Sequence, residues 1–324
     1  MGVGNWKDIS IPYEYYETLR QIDVKKKRLD SFRPFPSHAV HSIKESLTIE
    51  WTFNSNSIEG NTLTLQETRM VLEEGFTIKG KSLREHFEAV NHQEAIEHVE
   101  SLVQPDYILK ERDVLDIHGL VLDKIEKDYA GRIRNSGVRI AGANFIPPNA
   151  MKVSDYLEDL IHWVNGDGAS LHPIVRATIF HHRFVWIHPF FDGNGRTVRL
   201  VFNLLLMKEG YPPAIILKVD RKKYYTALNA ANNGSYDKLL LLVSQAASRS
   251  LDIYLSNLED TAGDYAPISN IVKESGISYG QEYVSLLARR GKIDAYKEGR
   301  VWYTTRKAVD DYVAGRKRKR KLGK

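Results

Sequence analysis

The 324-residue chain contains no cysteine. That excludes disulfide staples, cysteine-ligated metal centres and a thiol nucleophile, and it suits a reducing compartment. No apolar run is long enough to cross a bilayer. Residues 1–30 mix charged and aromatic side chains and lack the apolar core of a secretion signal. The expected setting is cytoplasmic, without membrane contact. No Gly-x-x-x-x-Gly-Lys-Ser/Thr run occurs, which removes the P-loop class. Internal repeats are missing too. What is present is ordinary for a globular protein, with 42% apolar and 27% charged residues. The length allows two or three domains. The net charge is +5, but residues 316–324 hold seven Lys or Arg, and without them the balance is −2. The basic tail reads as a separate, disordered feature.

The remaining chain reads as mainly helical. Residues 1–40 form an arm punctuated by Pro12, Pro34 and Pro36, with a basic helical stretch near 24–29. A helix is expected over 42–53, with Ser42 as N-cap, ending near Glu59-Gly60. Further helices fit 64–74 and 82–102, where Thr64 and Ser82 are each followed three residues on by glutamate. Others fit 111–126, 153–165 and 173–186, with Pro173 suited to a first turn. Between them, 134–145 changes texture: Val138 and Ile140 alternate with Arg139 between glycines, predicting a small β-hairpin. Helices are also expected over 222–233 and 236–258. From 266 the pattern is helix, turn, helix, strand-like alternation over 292–304, then a helix over 306–313. That order resembles a winged helix-turn-helix module.

Residues 188–199 read His-Pro-Phe-Phe-Asp-Gly-Asn-Gly-Arg-Thr-Val-Arg, followed by the apolar run Leu200 to Met207. The order suggests a loop entering the N-terminus of a buried helix. Backbone N–H groups of Gly193, Asn194 and Gly195 form an anion nest there, and the helix dipole adds to it. Arg196 and Arg199, three apart, project from one face, and two planar guanidiniums suit a polyphosphate. Asp192 is a candidate ligand for a divalent cation bridging phosphates. Its loop opens like a calcium loop, but Arg196 takes the next ligand position. His188 is the one group of the motif able to accept a proton near neutral pH. A second constellation is Ser55 to Asn61. Glu59 falls at the C-terminal end of its helix, where the dipole disfavours a carboxylate unless a cation compensates. Gly60 suits the residue that ends the helix.

The 188–199 segment matches the signature of the Fic family at every specified position. The resemblance implies a Fic helical core with a β-hairpin flap, here joined to the C-terminal winged helix-turn-helix-like module. It implies magnesium-dependent transfer of AMP from ATP to Tyr, Thr or Ser hydroxyls of a target protein. His188 is then the base and Asp192 the Mg²⁺ ligand. Gly193, Asn194, Gly195 and Arg196 hold the phosphates, and Arg199 the γ-phosphate. Tyr224 and Asn232 lie near the nucleoside. Val138 and Ile140 lie on the flap, which pairs main chain to main chain with the target. The Ser55-to-Gly60 pattern is similar to the inhibitory motif of Fic proteins with an N-terminal inhibitory helix, in which the glutamate pairs with the second arginine, here Glu59 with Arg199. In some relatives that glutamate positions a water that removes AMP again, which makes Glu59 a candidate for both roles.

The expected boundaries are 1–104 for the arm and inhibitory region, 105–259 for the Fic core, 260–315 for the winged module and 316–324 for the tail. The implied partners are a target protein, a second copy of the chain as target or homodimer mate, and DNA at the C-terminal module. Two alternatives stay open. One is a different transferred group, against which the intact Gly193-Asn194-Gly195 argues. The other is a DNA-binding regulator or scaffold, for which Gln281, Arg289 and Arg290 offer thin base readout.

Overall fold

The computed structural model describes residues 13–313, apart from 36, 105, 141, 144, 263–264, 274–276, 278, 291, 294 and 299–300. The basic tail lies outside the described residues. Two compact units are present: one takes the chain up to Lys27 together with Ser46–Asp252, the other Arg28–Glu45 with the chain from Ile253 onward.

The helices are α1 (Tyr13–Asp30), α2 (Ser37–Ile58), α3 (Leu65–Glu74), α4 (Leu83–Leu102), α5 (Glu111–Val121), α6 (Val153–Asn165), α7 (Pro173–Ile187), α8 (Asn194–Lys208), α9 (Arg221–Ala231) and α10 (Asp237–Ala262). Thr64 and Ser82 cap α3 and α4 as full capping boxes, with Glu67 and Glu85 returning the bond. Three readings of the sequence need correction. Among the described residues of the N-terminal arm, the 18-residue α1 replaces one short stretch. Ser42 is inside α2, which starts at Ser37. α5 stops at Val121, where the Leu122 N–H turns back to the His118 and Leu120 carbonyls.

α8 packs against α4, α5 and α7 and is surrounded. Leu200, Val201, Phe202, Leu204 and Leu206 are fully buried. Each such side chain stabilises by about 1.5–3 kcal/mol relative to exposure. A helix apolar on all sides must sit inside, which is why the run after the signature could only be a core element. The buried amide in its middle, Asn203, is satisfied by the Ala214 backbone: the Ala214 N–H donates to Oδ1 at 2.7 Å and Nδ2 donates to the carbonyl at 3.3 Å.

The other unit contains a three-stranded antiparallel sheet of order β1 (Tyr265–Pro267), β3 (Val301–Thr305), β2 (Ala295–Glu298), with α11 (Ile268–Ile271) and α12 (Gln281–Arg289). Residues 306–313 are helical. Ile268, Ile271, Val284, Leu287 and Val309 form its core. The order helix, helix, hairpin stands as read, and β1 is an additional strand that the linker residues did not announce.

Candidate active site

His188 ends α7 in the left-handed region (φ 51°, ψ 62°), its N–H bonded to the Phe184 carbonyl at 2.9 Å. A non-glycine residue there needs external support. Arg134 supplies it. This arginine is 1% exposed, and its guanidinium donates to the carbonyls of His188 (2.7 Å), Ser136 (2.8 Å), Pro148 (2.6 Å) and Ile187 (3.4 Å). Its own N–H donates to the Pro189 carbonyl at 2.9 Å. One side chain thus ties both ends of the 134–148 segment to the start of the signature loop.

The loop itself is held from inside and outside. Asn194 bridges it, accepting from the Phe190 N–H (2.9 Å) and donating to the Phe190 carbonyl (2.8 Å). Gly193 adopts φ 74° before α8 begins. His118, from α5, stacks on Phe190 at 3.6 Å between centroids and donates from Nε2 to the Asp192 carbonyl at 3.0 Å. Its Nδ1 accepts from the Gly131 N–H at 3.0 Å. Burial pushes the His118 pKa down to about 4, which keeps the ring neutral, and these two bonds fix its tautomer.

The signature charges are matched one by one. Arg199, 3% exposed, pairs with Glu59 at 2.8 Å and also donates to the Ser55 hydroxyl (3.0 Å) and carbonyl (2.8 Å). Burial alone would weaken its charge, but Glu59 acting together with Tyr224 and Tyr225 raises the guanidinium pKa. Arg196 pairs with Glu88 at 3.2 Å and approaches Asp192 at 3.5 Å. Asp192 accepts from Arg84 at 2.7 Å and from the Gly193 N–H at 2.6 Å. Burial raises the Asp192 carboxyl, while Arg196, the Gly193 N–H and Arg84 together lower it further, below its ordinary range. Gly195 sits against the Glu59–Arg199 pair, and a Cβ there would overlap the Glu59 carboxylate.

A cavity of about 480 Å³ opens beside these groups, lined among others by Glu59, Ile140, His188, Gly195, Tyr224 and Asn232. Its size suits a nucleotide. His188 is pushed down to about 4 by burial, with Arg134 acting in the same direction and Glu59 and Asp192 opposing it. It is therefore neutral at pH 7, the form a general base requires. Tyr224 bonds through its hydroxyl to His181 Nε2 at 2.7 Å, and its pKa is raised by burial. Asn232 Oδ1 accepts from His182 Nε2 at 2.9 Å, and the Tyr236 hydroxyl closes the chain on His182 Nδ1 at 2.6 Å. Both residues line the cavity.

The expected hairpin is corrected. Among the described residues, 134–148 forms no strand ladder. It runs without regular structure through the half-buried Val138 and Ile140 and turns where the Ala143 N–H meets the Ile140 carbonyl at 3.2 Å. Its ends are fixed by a buried arginine instead of by cross-strand bonds, a long-range contact that alternation cannot reveal. Sequence reasoning also missed Arg84, Glu88, His118 and Arg134 as site residues. Arg84 and Glu88 are spaced as an ordinary surface pair on a helix. Nothing local marks the other two.

The residues fit a nucleotide with a divalent cation. Asp192 is 44% exposed and has one oxygen available once Arg84 moves off. Among the described residues no group of three or more His, Asp or Glu is placed to hold a metal by itself. One carboxylate with phosphates and water completing the shell is the arrangement Mg²⁺ favours.

Comparison with known proteins agrees with this geometry. The Fic/DOC family profile matches residues 108–206. The protein adenylyltransferase Fic of Drosophila mojavensis is 37% identical over 239 residues, 73% of this chain and 47% of that protein. That of Nematostella vectensis is 37% identical over 243 residues, 74% of this chain and 56% of that one. The chain spans about half the length of the curated relatives it matches. Among solved structures, residues 134–508 of Fic-1 from C. elegans superpose with a TM-score of 0.70 at 31% identity, covering 76% of this chain and 73% of that one. A Fic-domain signalling protein from Bacteroides thetaiotaomicron gives 0.65 at 26% identity, covering 76% and 97%. With the signature, the helical core and these relatives in agreement, the chain belongs to the Fic/DOC family.

Proposed function

We propose that this protein transfers AMP from ATP to a Tyr, Thr or Ser hydroxyl of target proteins, itself included, and that Glu59 holds the activity low. The observation that carries the reading is the 2.8 Å ion pair between Glu59 and the buried Arg199, beside the neutral His188 and the Gly193–Gly195 nest. The names of the curated relatives, protein adenylyltransferase, support the transferred group.

His188 accepts the proton of the target hydroxyl. The freed oxygen attacks the α-phosphorus of ATP, the bond to the β-phosphate oxygen breaks, and pyrophosphate leaves. Backbone N–H groups at the start of α8 stabilise the charge that grows on the phosphates. Arg196 and Arg199 are the cations for the remaining phosphate oxygens, so Glu59 on Arg199 leaves the γ-phosphate without its partner. Asp192 is the residue that would hold Mg²⁺, whose chemistry is to neutralise phosphate charge in the transition state. The segment with Val138 and Ile140 meets the cavity at Ile140, and its backbone is the surface assigned to an incoming target strand.

The test uses purified protein, α-labelled ATP and Mg²⁺. Glu59→Gly is expected to label strongly, the unmodified protein weakly, and Glu59→Gly with His188→Ala not at all. Labelling of Glu59→Gly only from other nucleotides or from a γ-label would change the transferred group. No labelling, even with a lysate supplying targets, would reject the reading.

A further inference from the structure

α2 ends beside the inhibitory glutamate, and a helix end leaves its last four carbonyls without partners inside the helix. Two are satisfied locally. The Glu59 and Asn61 N–H groups bond to the Asn56 carbonyl at 3.0 and 3.1 Å, and the Gly60 N–H bonds to the Ser57 carbonyl at 3.2 Å. The other two are taken by arginines from distant elements. Ser55 receives Arg199 at 2.8 Å. Ile58 receives Arg221 Nε at 2.7 Å. Arg221 is the first residue of α9 and is exposed, and its guanidinium lies 4.9 Å from the Tyr225 ring centroid. The same connection grips α2 a turn earlier, where the Lys218 N–H donates to Asn54 Oδ1 at 2.8 Å.

The Ile58 carbonyl belongs to the peptide unit whose nitrogen is that of Glu59. Fixing this carbonyl fixes where the Glu59 side chain starts. A cation at a helix C-terminus is also electrostatically favoured, and a charged donor makes the stronger kind of hydrogen bond. The Glu59 side chain is 32% exposed, so its ion pair is not enforced by burial alone.

We propose that Arg221 is a positioning residue of the autoinhibition: it holds the Ile58–Glu59 peptide so that the carboxylate reaches Arg199. The proposal rests on the autoinhibited AMP-transfer reading above. It assigns Arg221 no contact with the reacting atoms. Its whole effect passes through Glu59, and an effect of that kind disappears when Glu59 is absent.

The experiment is a double-mutant cycle with α-labelled ATP and Mg²⁺ on the full chain, comparing the unmodified protein, Arg221→Gln, Glu59→Gly and the double variant. Arg221→Gln is expected to raise self-labelling about 5-fold, equivalent to ~1 kcal/mol. The double variant is expected to label as Glu59→Gly does. Arg221→Lys, which keeps one charged donor, should fall between the unmodified protein and Arg221→Gln. A second readout needs no catalysis: amide exchange at Glu59, Gly60 and Asn61 should quicken in Arg221→Gln. The proposal is overturned if Arg221→Gln labels and exchanges as the unmodified protein does. It is also overturned if the double variant labels several-fold below Glu59→Gly, since Arg221 would then serve the substrate. If Glu59→Gly itself labels no better than the unmodified protein, the autoinhibition reading falls, and this proposal with it.

Discussion

Replacing Arg134 by methionine tests how the catalytic loop is held. The guanidinium is buried and satisfies three carbonyls at 2.6–2.8 Å, those of Pro148, His188 and Ser136. A buried acceptor stripped of its donor costs about 1–3 kcal/mol. Three of them set an upper range of about 3–9 kcal/mol. Two effects pull the total down: water can enter the space the shorter polar reach leaves, and the desolvated charge is removed along with its bonds. The expected loss is about 3 kcal/mol, which for a unit of this size lowers the melting temperature by roughly 6–12 °C. The functional loss should exceed the structural one. His188 occupies a left-handed conformation that Arg134 braces through the His188 carbonyl. A base displaced by about 1 Å loses on the order of 100-fold in rate. The assay is AMP transfer by Glu59→Gly with and without Arg134→Met, at a temperature where both melt less than a tenth, alongside thermal melts and nucleotide affinity. A melting point within 1 °C of the parent, or a transfer rate within a factor of two, would refute the argument that Arg134 clamps the loop.

Three further outcomes are expected. Lowering the pH should destabilise the protein through its buried neutral histidines: His118, His182 and His188 are pushed down to about 4 and His181 to about 3, all by burial. Their folded pKa values lie below the unfolded one, so their stability contribution is full above about pH 6.5 and is lost as pH falls toward 4. Unfolding free energies from urea titrations at pH 7.5 and 5.5 should differ by on the order of 1 kcal/mol per histidine, and equal values would contradict the burial argument. Gly195→Ala places a methyl against the Glu59 carboxylate and Arg199. It should cost about 1–3 kcal/mol in the unmodified protein and clearly less in Glu59→Gly, a coupling that chemical denaturation of all four proteins would measure. Asp192→Asn should reduce transfer in Glu59→Gly by roughly 100-fold and leave no gain in ATP affinity on adding Mg²⁺. Calorimetry that still shows such a gain would move the cation to another ligand.

Local chemistry made much of this protein legible from its residues. Thr64-x-x-Glu67 and Ser82-x-x-Glu85 set two helix starts because a cap is a contact within one turn. Leu200 to Leu206 announced a buried helix because apolar residues on every side leave no solvent face. The order of His188, Asp192, Gly193 to Gly195, Arg196 and Arg199 placed an imidazole, a carboxylate, a glycine turn and two guanidiniums along one loop and the first turns of α8. Glu59 was readable as a carboxylate at the wrong end of a dipole, in need of a cation. The tertiary structure decided which cation: Arg199 is 140 residues away in the chain, and the fold alone brings it to 2.8 Å. The same holds for His118 under the Asp192 carbonyl, for Glu88 on Arg196 and for Arg134 across both ends of the flap segment. It also decided that the described residues of this segment form no ladder, its ends being closed by a guanidinium instead of a strand partner. Sequence determines a property when its cause lies within a few residues. Where a charge finds its partner, and at what distance, depends on how separate helices pack.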